Sequence, residues 1–413
     1  MNTENQELCI KCKGRGFCGK VCPILQNIKQ FLPKKEMHFS GSSPPEIFVG
    51  RYGYPNIYTG ILSPQSHEET EKFSSSEFWV KNKLSINQIL ELRGQLIYGQ
   101  FKSNIKDARL GKKFTSAMQE ISLSEKPVSA EFFLHKPLDF KIQIDKSIPV
   151  IGNPAPLKHI RLEENPKVEK KVEYIFADNE LKANEGVKEL YQNNISVEHI
   201  IKLLSAGMLG RKEQRIFVPT RWAITAVDDI LSKKLIEKIK NYPEINEIMV
   251  FNSEFVGNHY EFLLIPDKFS FEVIEAKMSG SIWNPMSKNN YFMQDFESFL
   301  GRKKYAENVS GAYYANRLAL CEYLDQIKKQ GSCVVMREAR EAYWAPLGVG
   351  ILRETSREAF QKIPEKFNSM KEALEAIQKR MKIPVQEFKE KSEIIKNHGK
   401  QKKLTSFFKS KSP

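Results

Sequence analysis

Four cysteines crowd into the first 22 residues of a 413-residue chain. Cys9, Cys12, Cys18 and Cys22 follow a C-x2-C-x5-C-x3-C pattern, which constrains the fold more than any other feature. Four thiolates can surround Zn²⁺ tetrahedrally, and two residues between the first pair let the backbone turn sharply around the ion. Gly14, Gly16 and Gly19 supply freedom for the remaining turns. So short a segment buries no core of its own. Metal ligation, worth on the order of 10 kcal/mol, has to hold residues 1–30 together as a C4 zinc-binding head. Four protein ligands close the coordination shell, so the expected zinc is structural rather than catalytic. The same four cysteines would also suit an iron–sulfur centre. Lys11, Lys13, Arg15 and Lys20 interleave with the ligands, so the head can also touch phosphate.

Beyond the head the chain is long enough for a large core, and 41% hydrophobic with 28% charged residues describes an ordered globular protein. No stretch approaches the roughly 20 apolar residues of a membrane span, and the N-terminus has no apolar leader. Cys321 and Cys333 stand far apart, which is not a secreted disulfide framework. A cytoplasmic, nucleoid-associated location without membrane contact is expected. The formal charge of +14 favours a polyanionic partner and says nothing about the fold.

The periodicities predict a mixed α+β fold with a zinc-binding N-terminal head, a large sheet and helix core, and a disordered basic C-terminal tail. The expected divisions are 1–30 for the head, 31–285 and 286–390 for two core domains, and 391–413 for the tail. HFSGSSPPEIFVG reads as a hinge or an extended entry into the first strand. Leu138, Phe140, Ile142 and Ile144 alternate with polar residues, the period of a half-buried strand. EIMVFN, HYEFLLIP and FSFEVIEAK read as a meander of strands with turn residues such as Gly257 and Asn258. Helices are predicted where Leu231, Leu235 and Ile239 share a face, and where Tyr313, Leu320, Leu324 and Ile327 share another. A late helix joins Phe367, Met370, Leu374, Ile377 and Met381, with Ser369 and Glu372 as a capping box. No internal repeat appears.

The chain ends in KNHGKQKKLTSFFKSKSP. One helical turn would gather Leu404, Phe407 and Phe408 into an apolar plug, in a segment from Lys391 to Pro413 that carries seven Lys and one Glu. Such a composition does not fold alone, and aromatic anchors on it require a partner groove. QKKLTSFF resembles the PCNA-interacting peptide of clamp-binding proteins, with Gln401 for a polar side pocket. Clamps are rings threaded by DNA, so a basic core held nearby would meet DNA at high effective concentration.

Taken with the head and tail, several core strings resemble the archaeal Nre family of DNA repair proteins over essentially the whole chain. They are PPEIFVGRYGYPNIYTG, LGRKEQRIFVPTRWAITAVDD, SIWNPMSKNNYF, GAYYANRLALCEYL and REAYWAPLGVGILRE. The resemblance implies a role in repair of DNA damage together with the clamp, and carries over no catalytic residue.

Physical reading of those strings gives further candidates. Arg51, Tyr52 and Tyr54 alternate cation and aromatic, and Arg221 with Trp222 can grip phosphate and stack on a base. The alternatives are Tyr side chains packed inward at a turn, and a core Trp222. Asp228 and Asp229 offer hard oxygen ligands to Mg²⁺ or Mn²⁺, or else open the helix that follows them. PDKFSFEVIEAK superficially resembles the PD-(D/E)-x-K pattern of metal-dependent nucleases through Asp267, Glu275 and Lys277. VKELYQNNISVEHIIKLLSAG can be drawn as a helix-turn-helix. No phosphate loop, zinc-protease motif or nucleophile elbow appears. Two functions follow as expectations, a DNA-binding repair protein recruited by the PCNA clamp and a metal-dependent DNA nuclease. A zinc-containing RNA-binding factor is a third, which leaves the clamp peptide unexplained.

Overall fold

The computed structural model describes residues 32–67, 69–138, 148–284 and 287–398. The four head cysteines, the QKKLTSFF peptide and almost all of the strand expected at Leu138–Ile144 lie outside the described residues. Within them the chain forms two six-stranded mixed sheets and twelve α-helices.

The first sheet contains β1 (His38–Ser43), β2 (Glu46–Val49), β3 (Asn56–Ser63), β4 (Ile97–Asn104), β5 (Val128–Leu134) and β6 (Pro154–Leu162), in the order β1-β5-β6-β4-β3-β2. Only β4 and β6 run parallel. The segment read as a hinge or an extended entry into the first strand is the latter, largely β1 and β2. His38–Ser43 pairs with β5 along its length, so ladder bonds override the weak strand preference of Gly and Ser. Helices α1 (Ser76–Lys81), α2 (Ile86–Gly94) and α3 (Lys113–Leu123) are inserted between these strands.

Four helices then link the sheets: α4 (Lys170–Ala177), α5 (Ala183–Gln192), α6 (Val197–Ser205) and α7 (Thr220–Ile239). The drawn helix-turn-helix exists as α5 and α6, but seven of the nine α6 residues are buried, so α6 has no face for a DNA groove.

The second sheet contains β7 (Ile248–Phe255), β8 (Asn258–Ile265), β9 (Ser270–Lys277), β10 (Tyr291–Glu297), β11 (Ser332–Ala339) and β12 (Glu365–Phe367). Its order is β10-β9-β11-β8-β7-β12. The expected strands are present, but they are not a meander, because β11 enters between β8 and β9, antiparallel to one and parallel to the other. This sheet therefore draws strands from both sides of residue 285. Alternation divides each strand between two cores. Phe251, Phe262, Leu264, Val273 and Val335 meet α8 (Gly311–Ile327) and α9 (Gly350–Gln361), in a core continuous with that of the first sheet. Val250, Leu263, Ile274, Val334 and Met336 meet α10 (Met370–Gln378), α11 (Val385–Lys391) and α12 (Glu393–Asn397). Both faces are covered, which is why these strands read as nearly unbroken apolar runs.

The late helix is shorter than its periodicity. Ser369 and Glu372 form the capping box, yet Phe367 belongs to β12 and Met381 follows the helix. Buried carboxylates dock this C-terminal layer. Glu272 accepts hydrogen bonds from Ser392 Oγ and the Glu393 and Ile394 amides at 2.5, 2.8 and 3.3 Å. Glu261 holds Arg380 through two bonds of 2.8 and 2.9 Å. Among the described residues no helix is long and apolar enough to cross a membrane.

Candidate nucleic-acid interface

The β2–β3 hairpin turns at residues 50–55. Gly53 sits at φ 79°, where a Cβ would lie 2.7 Å from the Asn56 carbonyl, so the tight turn requires glycine there. The Asn56 amide donates to the Gly53 carbonyl at 2.8 Å, and the turn projects Tyr52 and Tyr54 outward. Behind it, the Ile105 amide donates to the Pro55 carbonyl at 3.0 Å, and Asn104 Nδ2 donates to Asn56 Oδ1 at 2.8 Å.

Pro219 ends the preceding extended segment and α7 begins at Thr220. Thr220 Oγ1 accepts the Val49 amide at 2.9 Å, which fixes the first turn of α7 against the end of β2. Trp222, in that first turn, thereby meets Tyr54, with ring centroids 5.4 Å apart and planes tilted by 55°. Two aromatic segments about 170 residues apart in sequence form one platform.

Its rings face solvent. Tyr52 is 65% exposed, Tyr54 45% and Trp222 44%, so neither the inward-packed tyrosines nor the core tryptophan is what forms. Arg51 stacks on the Tyr52 ring at 5.1 Å. Arg221 is half-buried beside Trp222. Tyr58, 46% exposed on β3, faces Lys102 directly across the ladder, the ammonium 5.5 Å from the ring. Lys106 is exposed on the next turn. Tyr58 and Lys102 are two functional candidates that no local motif marks. Their signal was the alternation of NIYTG with buried Ile57 and Thr59, which assigns Tyr58 to the open face.

The carboxylates proposed for Mg²⁺ or Mn²⁺ have other neighbours. Asp228 does not open a helix; it lies midway along α7, fully buried, and Arg353 grips it with two bonds of 2.9 Å. Burial pushes its carboxyl up, while the Arg353 guanidinium opposes that rise. Asp229 pairs with Arg317 and, at 2.7 Å, with Lys233, and Arg317 also holds Glu297 at 2.9 Å. Glu275 and Lys277 share one face of β9, where Glu275 pairs with Arg337. Asp267 precedes β9, whose eight residues span roughly 25 Å, so it sits at the far end from Lys277. Among the described residues no group of three or more His, Cys, Asp or Glu is arranged to hold a metal ion.

Comparison with known proteins adds relationship to geometry. The profile described as Archaeal Nre, N-terminal matches residues 17–284, and Archaeal Nre, C-terminal matches residues 297–407. The chain is similar to DNA repair protein NreB of Archaeoglobus fulgidus, 37% identical over 97% of this chain and 99% of that protein. It is also similar to DNA repair protein NreA of the same organism, 36% identical over 97% and 98%. A further relative is DNA repair protein NreA of Haloferax volcanii, 36% identical over 82% and 83%. No solved structure matches. The chain belongs to the archaeal Nre family.

Proposed function

We propose that the protein is a DNA repair factor that holds unpaired bases on the Tyr54–Trp222 platform while its C-terminal peptide engages the PCNA sliding clamp. The observation that carries this reading is the meeting of solvent-facing Tyr54 and Trp222, with Arg51 over exposed Tyr52 on the same turn, Arg221 next to Trp222 in the chain and Lys102 over exposed Tyr58 on the adjoining strands. Aromatic faces stack on any base and neighbouring cations neutralise the backbone, the combination that binds single strands without sequence preference. Names of the relatives supply the repair context.

The ends of the chain complete the reading on the chemistry of their residues. Cys9, Cys12, Cys18 and Cys22 are a donor set for a structural Zn²⁺. Gln401, Leu404, Phe407 and Phe408 supply the plug for the clamp. A nuclease would need a cluster of free carboxylates, and Asp228, Asp229 and Glu275 are instead engaged by arginines.

Retention on immobilised clamp and binding to a fluorescent single strand separate the two halves of the proposal. Phe407→Ala with Phe408→Ala should abolish clamp retention and leave DNA affinity intact, whereas Tyr54→Ala should weaken DNA binding severalfold and leave clamp retention intact. Clamp retention that survives the double substitution, or DNA affinity indifferent to Tyr54→Ala, contradicts the corresponding half.

A further inference from the structure

A small recess opens where β9, β11 and the start of α8 meet. Lys277 and Arg337, 6% and 3% exposed, line it together with Asn308, Ser310, Trp283 and Tyr343. A buried cation is costly unless something balances it, and the Lys277 ammonium lies 5.8 Å from the Tyr291 ring. Glu275, also on the wall, takes one edge of Arg337, and Asn258 Oδ1 accepts from the same guanidinium. Arg337 Nε, buried, has no acceptor among the described residues.

The first turn of the 17-residue α8 is the second element. Ser310 precedes it at φ 61°, ψ −126°, and its side chain makes no cap. Ser310 Oγ instead sits 3.0 Å from the Tyr305 hydroxyl, the Tyr313 amide donates to the Ser310 carbonyl at 3.1 Å, and among the described residues no side chain caps the Gly311 and Ala312 amides. Gly311 brings the helix start close to α9: a Cβ there would lie 2.5 Å from Val349 Cγ2. Trp283 and Tyr343, ring centroids 6.0 Å apart, close the opposite wall with apolar surface.

We infer that this recess binds a phosphate group carried by a nucleotide, either free or at the end of a DNA strand. Helix amides with a positive dipole end, a buried guanidinium short of one acceptor and a buried ammonium are the donors a phosphate requires. Trp283 and Tyr343 back the phosphate with a buried apolar wall, and the sugar and base it carries lie toward the exposed mouth at Asn308. The site is separate from the hairpin platform and stands without it.

Titration of the full-length protein with inorganic phosphate, a deoxynucleoside monophosphate, and oligonucleotides bearing a 5′-phosphate or a 5′-hydroxyl tests the inference. A saturable response is expected from the phosphate-bearing ligands. Preference for the monophosphate identifies free nucleotide as the source, and a preference of about fivefold or more for the 5′-phosphorylated strand over its hydroxyl counterpart identifies a DNA end. Lys277→Met should weaken that response about tenfold. Asn308→Asp, at the exposed mouth, should weaken it severalfold while a cooperative thermal transition shows the fold kept, the lost bond to the Gln294 carbonyl lowering the melting temperature only slightly, and it decides the matter if Lys277→Met does not fold. Absence of a saturable response in the parent protein, or affinities untouched by Asn308→Asp, overturns the inference. Loss of binding to the 5′-hydroxyl strand in Trp222→Ala, with the phosphate response kept, bears on the platform alone.

Discussion

The hairpin platform and the recess at the head of α8 place aromatic side chains in opposite settings. On the platform Tyr52, Tyr54 and Trp222 keep nearly half or more of their surface in water, whereas in the recess Trp283 and Tyr343 are 5% and 1% exposed. Cations differ likewise, half-buried Arg51 and Arg221 at the platform against buried Lys277 and Arg337 in the recess. Exposed rings with cations around them suit a long, variable polymer, because each contact is weak and repeatable. Buried donors suit one small group held in a fixed position. The platform should therefore tolerate substitution without loss of fold, and the buried charge system around the recess should not.

The largest expected effect falls on the buried side of that contrast. Arg353→Ala leaves the Asp228 carboxyl without its partner in the core, which should cost about 3–5 kcal/mol and appear as a large drop in melting temperature. Stability within about 0.5 kcal/mol of the parent would mean that the interior tolerates charge as the surface does. On the platform, Tyr54→Ala with Trp222→Ala should weaken single-strand binding about tenfold or more with almost no change in melting temperature.

Acidity sharpens the comparison further. Burial works to lower the His259 pKa, but Glu254 at 3.3 Å and Glu261 at 2.9 Å outweigh it and hold the imidazolium above its ordinary value. Burial pushes the Glu354 carboxyl up to about 7. Both groups bind protons more tightly folded than unfolded, so both give stability that is present at low pH and lost as pH rises. For Glu354 the loss runs from its ordinary 4.5 to about 7, and for His259 from its ordinary 6.5 upward through the raised value. Melting temperature should fall between these limits, and His259→Gln should flatten the upper part of the decline. A flat profile in the parent would contradict these assignments. The smallest effect is at the capping box, where Ser369→Ala should cost about 1 kcal/mol, read by denaturant unfolding.

Legibility in the sequence follows the same contrast. Tyr52, Tyr54 and Trp222 stand in short strings whose local chemistry already marked them, and the fold only had to bring two turns together. Strands β7 to β9 and the Ser369–Glu372 cap were equally readable, since period and capping are local. The place of β11 between β8 and β9 was not readable, because it depends on pairings across about 60 to 80 residues. Asp228 and Asp229 looked like metal ligands or helix openers because Arg353 and Arg317, which engage them, lie about 125 and 90 residues further on. The recess was invisible for that reason: Lys277, Ser310 and Arg337 come from three separate elements, and no spacing in the sequence joins them.

The most direct test is fluorescence anisotropy of a single-stranded oligonucleotide, titrated with the parent protein and with Trp222→Ala at several salt concentrations. Loss of a stacking ring should lower affinity about tenfold at every concentration and leave the dependence on salt unchanged, because the phosphate-neutralising cations remain. Identical affinities for the two proteins would contradict the platform as the place where DNA is held.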